Sequence, residues 1–117
     1  MANEISISAS LAFDKTITDS FSCQGLTFTM SGTEYIKNVQ SIGTSEEALI
    51  VGDVTPGFIL MKNLDPTNFV SFRSATGATN TVKLKPGEIA LFRSSGAAPF
   101  MIADTGACRV QYLLIED

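Results

Sequence analysis

The sequence predicts an all-β fold, an antiparallel β-sandwich or jelly roll forming a single domain over residues 1–117. Three observations predict it. Apolar and polar residues alternate with period two in several short segments, the pattern of strands with one covered face. Gly, Pro, Asn or Asp punctuates those segments at intervals of roughly 8–12 residues. No window of helical length keeps apolar residues at i, i+3, i+4 and i+7. At 117 residues and 44% hydrophobic, the chain can bury one core.

The first segment is the clearest. Ile5, Ile7, Ala9, Leu11 and Phe13 share one side and Ser6, Ser8 and Ser10 the other, as in a half-buried antiparallel strand. Phe21 and Cys23 hold an odd-numbered face, whereas Leu26, Phe28 and Met30 take the even one. That change of parity places a bulge or break at Gln24–Gly25. Tyr35, Lys37, Val39 and Ser41 mark a further strand. Ser45 to Ile50 reads equally as a short helix, with Ser45 as N-cap and two early acids, or as a strand at Ala48 to Val51.

The second half is denser. Phe58-Ile59-Leu60-Met61 is a continuous apolar run, expected for a strand covered on both sides. A turn at Asn63 to Pro66 separates it from Asn68 to Arg73. Val82 and Leu84 alternate with Lys83 and Lys85, and Pro86-Gly87 ends that strand. Glu88 to Arg93 and Phe100 to Ala103 follow, with a loop at Ser94 to Pro99 between them. Cys108, Val110, Tyr112 and Leu114 form an inward row in the last strand, so removal of Val110 to Asp117 is expected to be damaging. The total is roughly eight to ten strands.

Composition narrows the chemistry. Eight basic residues are scattered among twelve acidic ones, for a net charge of −4. Phosphate backbones and anionic lipid surfaces are bound chiefly through Lys and Arg, so neither nucleic acid nor membrane is expected as a partner. No apolar run approaches the roughly 20 residues of a membrane-spanning helix, and no secretory leader is visible. The chain contains no histidine. A Ser-His-Asp triad or Cys-His pair therefore cannot form, and the expectation is a protein without catalytic residues, metal or cofactor. Cys23 and Cys108 read as reduced, buried small hydrophobes; a single bridge between an early strand and the last is the alternative. Asp53, Asp65 and Asp104 each lie in turn sequence beside or near Gly or Pro. The oxygen-rich stretch Asn63 to Asn68 lacks the glycine-containing acidic pattern of a calcium loop. The eight Phe and two Tyr read as core rather than as stacking platforms. Arg73, Arg93 and Arg109 stand beside apolar strand residues, either at strand edges in solvent or in salt bridges between subunits.

From Thr55 to Asp117 the chain resembles small β-rich virion structural proteins of tailed bacteriophages. The residues that carry this are Thr55-Pro56-Gly57-Phe58-Ile59-Leu60-Met61-Lys62-Asn63-Leu64-Asp65, Thr67-Asn68-Phe69-Val70, Leu84-Lys85-Pro86-Gly87-Glu88 leading a strand, and the ending Tyr112 to Asp117. The resemblance implies a virion protein made in the host cytoplasm, most simply a capsid decoration or cement protein. Its partners would be other virion proteins, the major capsid protein foremost, and copies of itself. The alternative within the same resemblance is a tail, fibre or head–tail component, including a receptor- or carbohydrate-binding β-module. It implies no catalytic residue. Three loops are candidate subunit contacts: Gly43, Thr44 and Ser45 in the first, Ser74, Gly77 and Asn80 in the second, and Ser95, Gly96 and Pro99 in the third.

Overall fold

A computed structural model describes residues 3–117. It is all-β and antiparallel, with ten strands and no helix among the described residues. The strands are β1 (Ile5–Asp14), β2 (Thr18–Phe28), β3 (Tyr35–Ile42), β4 (Glu47–Ala48), β5 (Pro56–Asn63), β6 (Val70–Arg73), β7 (Val82–Leu84), β8 (Ile89–Arg93), β9 (Phe100–Ala103) and β10 (Cys108–Glu116). The chain divides into two compact units, one ending at Ser31 and the other Gly32–Asp117.

The larger unit is sandwich-like. Its first sheet has the order β3-β10-β5-β8 and its second β4-β9-β6-β7. Alternation decides which side chains enter the core. Along β10, Cys108, Val110, Tyr112 and Leu114 are buried while Arg109, Gln111 and Leu113 point outward. Ile59 and Met61 of β5 meet Leu114 and Tyr112 across the ladder. From the second sheet come Val70, Phe72, Leu84, Met101 and Ala103, and all of these form one apolar cluster. Phe72 of β6 and Phe92 of β8 stack across the two layers, with ring centroids 5.2 Å apart.

Buried polar groups tie the layers together. Gln40 on β3 donates through Nε2 to the Ala48 carbonyl (3.1 Å) and to Glu47 Oε1 (3.2 Å), and its Oε1 accepts the Ile50 N–H (2.9 Å). This captures the Ser45 to Ile50 segment as extended chain. Of the two readings of that segment, the helical one fails, and of the expected strand at Ala48 to Val51 only Ala48 lies in β4, which is Glu47–Ala48. Tyr112 donates its hydroxyl to the Ile50 carbonyl at 2.6 Å. Among the described residues no buried side-chain nitrogen or oxygen lacks a partner.

The smaller unit is the two-stranded ribbon β1-β2. Its register shifts between Ile7 and Ala9, where Ile7 pairs with Leu26 and Ala9 with Cys23. Gln24 and Gly25 therefore oppose Ser8 alone, and Gly25 has φ +69°, the left-handed conformation that suits a bulge. The bulge lies where the parity change placed it.

Candidate functional site

The resemblance pattern converges on one side chain. Asn63, at the end of β5, is fully buried. Its Nδ2 donates to the carbonyls of Asn68 and Leu84, each at 3.0 Å, and its Oδ1 accepts the Asp65 N–H at 2.9 Å. Its backbone bonds the turn after β7: Asn63 N–H to the Glu88 carbonyl and Gly87 N–H to the Asn63 carbonyl, both 3.0 Å. That turn is closed by the Glu88 N–H on the Lys85 carbonyl (3.0 Å). Pro86 presets its first corner, and Gly87 at φ +80° supplies the positive φ of a type II turn. Asn-Leu-Asp and Leu-x-Pro-Gly-Glu, well separated in sequence, are thus two sides of one structural lock.

Asp65 completes it. Its Oδ2 accepts N–H groups from Asn68 (2.5 Å) and then Thr67 (2.9 Å), which in that order of effect hold its carboxyl below the ordinary value. These oxygens serve the turn, the arrangement expected of an Asx side chain. Among the described residues no group of three or more acidic or cysteine side chains could hold a metal ion.

The first and second candidate contact loops meet each other. Glu46 Oε1 accepts from Arg73 Nη1 and from the Gly77 N–H, each at 2.9 Å. Arg73 also donates to Asn80 Oδ1 through Nε (2.8 Å). The first and second loops are thereby joined through a largely buried ion pair within the chain, so Arg73 is not left in solvent. Thr44, Ser45, Ser74, Gly77, Asn80, Ser95 and Gly96 are exposed; Gly43 is half-buried and Pro99 is buried. A groove of about 270 Å³ lies between the second and third loops, lined by Ser74, Thr81, Ser95 and Pro99 together with the rings of Phe72 and Phe92. Arg93 pairs with Asp117 and lies over the Phe58 ring, 4.4 Å from its centroid.

The cysteines are free. No bridge joins an early strand to the last. Cys108 is buried, and burial first, then the charge of Asp65, pushes its thiol up. Cys23 is only half-buried, which departs from the expectation of two buried thiols.

The largest departure concerns what covers the apolar faces. In the ribbon, Ile5 pairs with Phe28, Ile7 with Leu26, Ala9 with Cys23 and Leu11 with Phe21, so one face is apolar. Ser6 with Thr27, Ser10 with Ser22 and Ala12 with Ser20 make the other face small and mostly hydroxylic. Alternation predicts that the apolar face is covered, yet Leu11 is 74% and Phe21 72% exposed. The β5 run repeats the pattern. Ile59 and Met61 are buried, but Leu60 is 42% exposed, because the sheet is covered on its inner side only. Lys37, Leu113, Leu60 and Leu91 align across the outer side, beside Val39, Gln111, Lys62 and Ile89. A shallow groove of about 320 Å³ runs there. Periodicity identifies a face but not its cover, so neither surface is visible in the sequence.

The chain matches no protein-family model, no curated protein and no solved structure.

Proposed function

We propose that this chain is a structural, non-catalytic protein of a tailed-bacteriophage particle that decorates and cements the capsid shell. The observation that carries an assembly role is the exposed apolar face of β1-β2, from Leu11 and Phe13 to Phe21, Leu26 and Phe28. Monomeric proteins rarely leave contiguous apolar surface of several hundred Å² open, and such faces mark protein interfaces. The resemblance from Thr55 to Asp117 supplies the kind of assembly. The absence of histidine from the sequence supports a role without proton transfer. Small domains repeated over a lattice gain net strength from many modest contacts, so the major capsid protein and further copies of this chain are its proposed partners. The protein would be made in the host cytoplasm and end in the virion.

The test is purification of the source particles through a density gradient, with peptide mass spectrometry and electron cryomicroscopy. The expected result is this chain at stoichiometric abundance, in density repeated over the shell. Its absence from purified particles, or its confinement to the tail or head–tail region, refutes the decoration role.

A further inference from the structure

We infer that the β1-β2 ribbon is a self-association element, whose apolar face packs against the same face of a second copy of this chain. The inference rests on the assembly role proposed above but not on the particle in which the chain assembles.

Chemistry of the face selects a copy of itself as occupant. Between its ends the face carries Ile5, Ile7, Ala9, Leu11, Phe13, Phe21, Cys23, Leu26 and Phe28, with no charged side chain. Charge is confined to the ends. Asp19 stands opposite Phe13 next to the turn, and at the other end Glu4 accepts the Met30 N–H at 3.1 Å. An apolar centre with a polar rim is the anatomy of a protein interface. Because the centre is uncharged, two identical faces can meet without burying an unpaired charge. A two-fold contact requires that kind of self-complementarity.

Area agrees. Leu11, Phe13, Phe21, Leu26 and Phe28 together leave roughly 550 Å² open per copy, or roughly 1,100 Å² for a pair, above the roughly 1,000 Å² that a specific interface should clear. The opposite face, with Ser6, Ser8, Ser10, Ser20, Ser22 and Thr27, is suited to solvent in such a pair. A two-stranded ribbon is marginal alone in water. Pairing of two ribbons would give each the second layer that it lacks within its own unit.

The experiment is light scattering on the full chain over a dilution series, for the wild type, Leu11→Glu and the control Ser8→Glu. Wild type and Ser8→Glu are expected at two or more times 12.5 kDa, with Leu11→Glu at 12.5 kDa. A second readout is the reaction of Cys23 with a maleimide. In the wild type it should slow at least tenfold from dilute to concentrated protein, and in Leu11→Glu it should be fast throughout. Leu11→Gln, which adds no charge, gives an intermediate mass if the ribbon stays formed. Monomeric wild type at every concentration, or oligomers that survive Leu11→Glu, overturns the inference. Monomer in solution together with abundant chain in particles fails this inference alone and identifies a different virion protein as the cover. Oligomer in solution with no chain in particles fails the phage reading alone.

Discussion

Replacing Asn63 by Leu tests the lock between β5 and the turn after β7. The substitution nearly preserves side-chain size but removes three hydrogen bonds at a fully buried position. The Leu84 carbonyl lies in the core and loses its amide donor. The Asn68 carbonyl and the Asp65 N–H are half-buried, so water recovers part of their loss. At about 1–3 kcal/mol for each buried group left unsatisfied, less the gain from a buried leucine, the net cost is about 3 kcal/mol. That is a large share of the 5–15 kcal/mol typical of a domain. In urea, with a slope of about 1–1.5 kcal/mol/M, the midpoint should fall by about 2 M with little change in slope. Asn63→Asp separates polarity from volume. At neutral pH it turns a carboxylate toward two carbonyl oxygens and should be less stable than Asn63→Leu. Protonation of the introduced carboxylate restores one donor, so the Asn63→Asp variant should regain stability on acidification. A loss below 1 kcal/mol for Asn63→Leu, or Asn63→Asp as stable as wild type at pH 7, would refute the reasoning.

Other expectations concern groups besides the Asn63 amide. The Asp65 carboxyl is lowered by N–H donors that the unfolded chain lacks, so its contribution is present above its unfolded value and lost as pH falls through the folded one. Asp65→Asn should therefore flatten the loss of stability below about pH 4, measured by urea unfolding across pH. Cys108, raised by burial, acts in the opposite sense: its contribution is complete below the unfolded thiol value of about 8.5 and declines at higher pH. Cys108→Ser should reduce that alkaline decline, and in the native wild type a thiol reagent should modify Cys23 long before Cys108. Deletion of Val110 to Asp117 removes a strand that pairs with both β3 and β5, so the truncated chain should lose cooperative thermal unfolding altogether. Glu46→Ala should cost about 1–2 kcal/mol and speed proteolysis in 74–80, because Arg73 and the Gly77 N–H both lose their acceptor.

The sequence reveals local rules well and their long-range partners poorly. The inward row Cys108, Val110, Tyr112 and Leu114 is legible because a half-covered strand must alternate. The bulge at Gln24–Gly25 and the turn at Pro86–Gly87 are legible because each is written in adjacent residues. Extended structure at Glu47–Ala48 cannot be separated from a helix by sequence, since the side chain that captures it, Gln40, lies seven residues upstream of Glu47 and bonds backbone groups beyond it. Arg73 looks solvent-facing in sequence because its acceptor, Glu46, is twenty-seven residues away. The resemblance pattern draws attention to Asn63 but not to its role, which depends on the Leu84 carbonyl twenty-one residues later. The apolar face of β1 is legible as a face, and its exposure is not, because alternation is the same whether the cover is within the chain or outside it.

Amide hydrogen exchange of β1 and β2 tests most directly whether that face is covered by another chain. Exchange protection reports local opening, and a lone two-stranded ribbon should open readily. At high protein concentration the cross-strand amides of residues 5–28 should be protected by a hundredfold or more, and dilution or Leu11→Glu should abolish this while β10 stays protected. Strong protection of the ribbon that is indifferent to both dilution and Leu11→Glu would contradict the account.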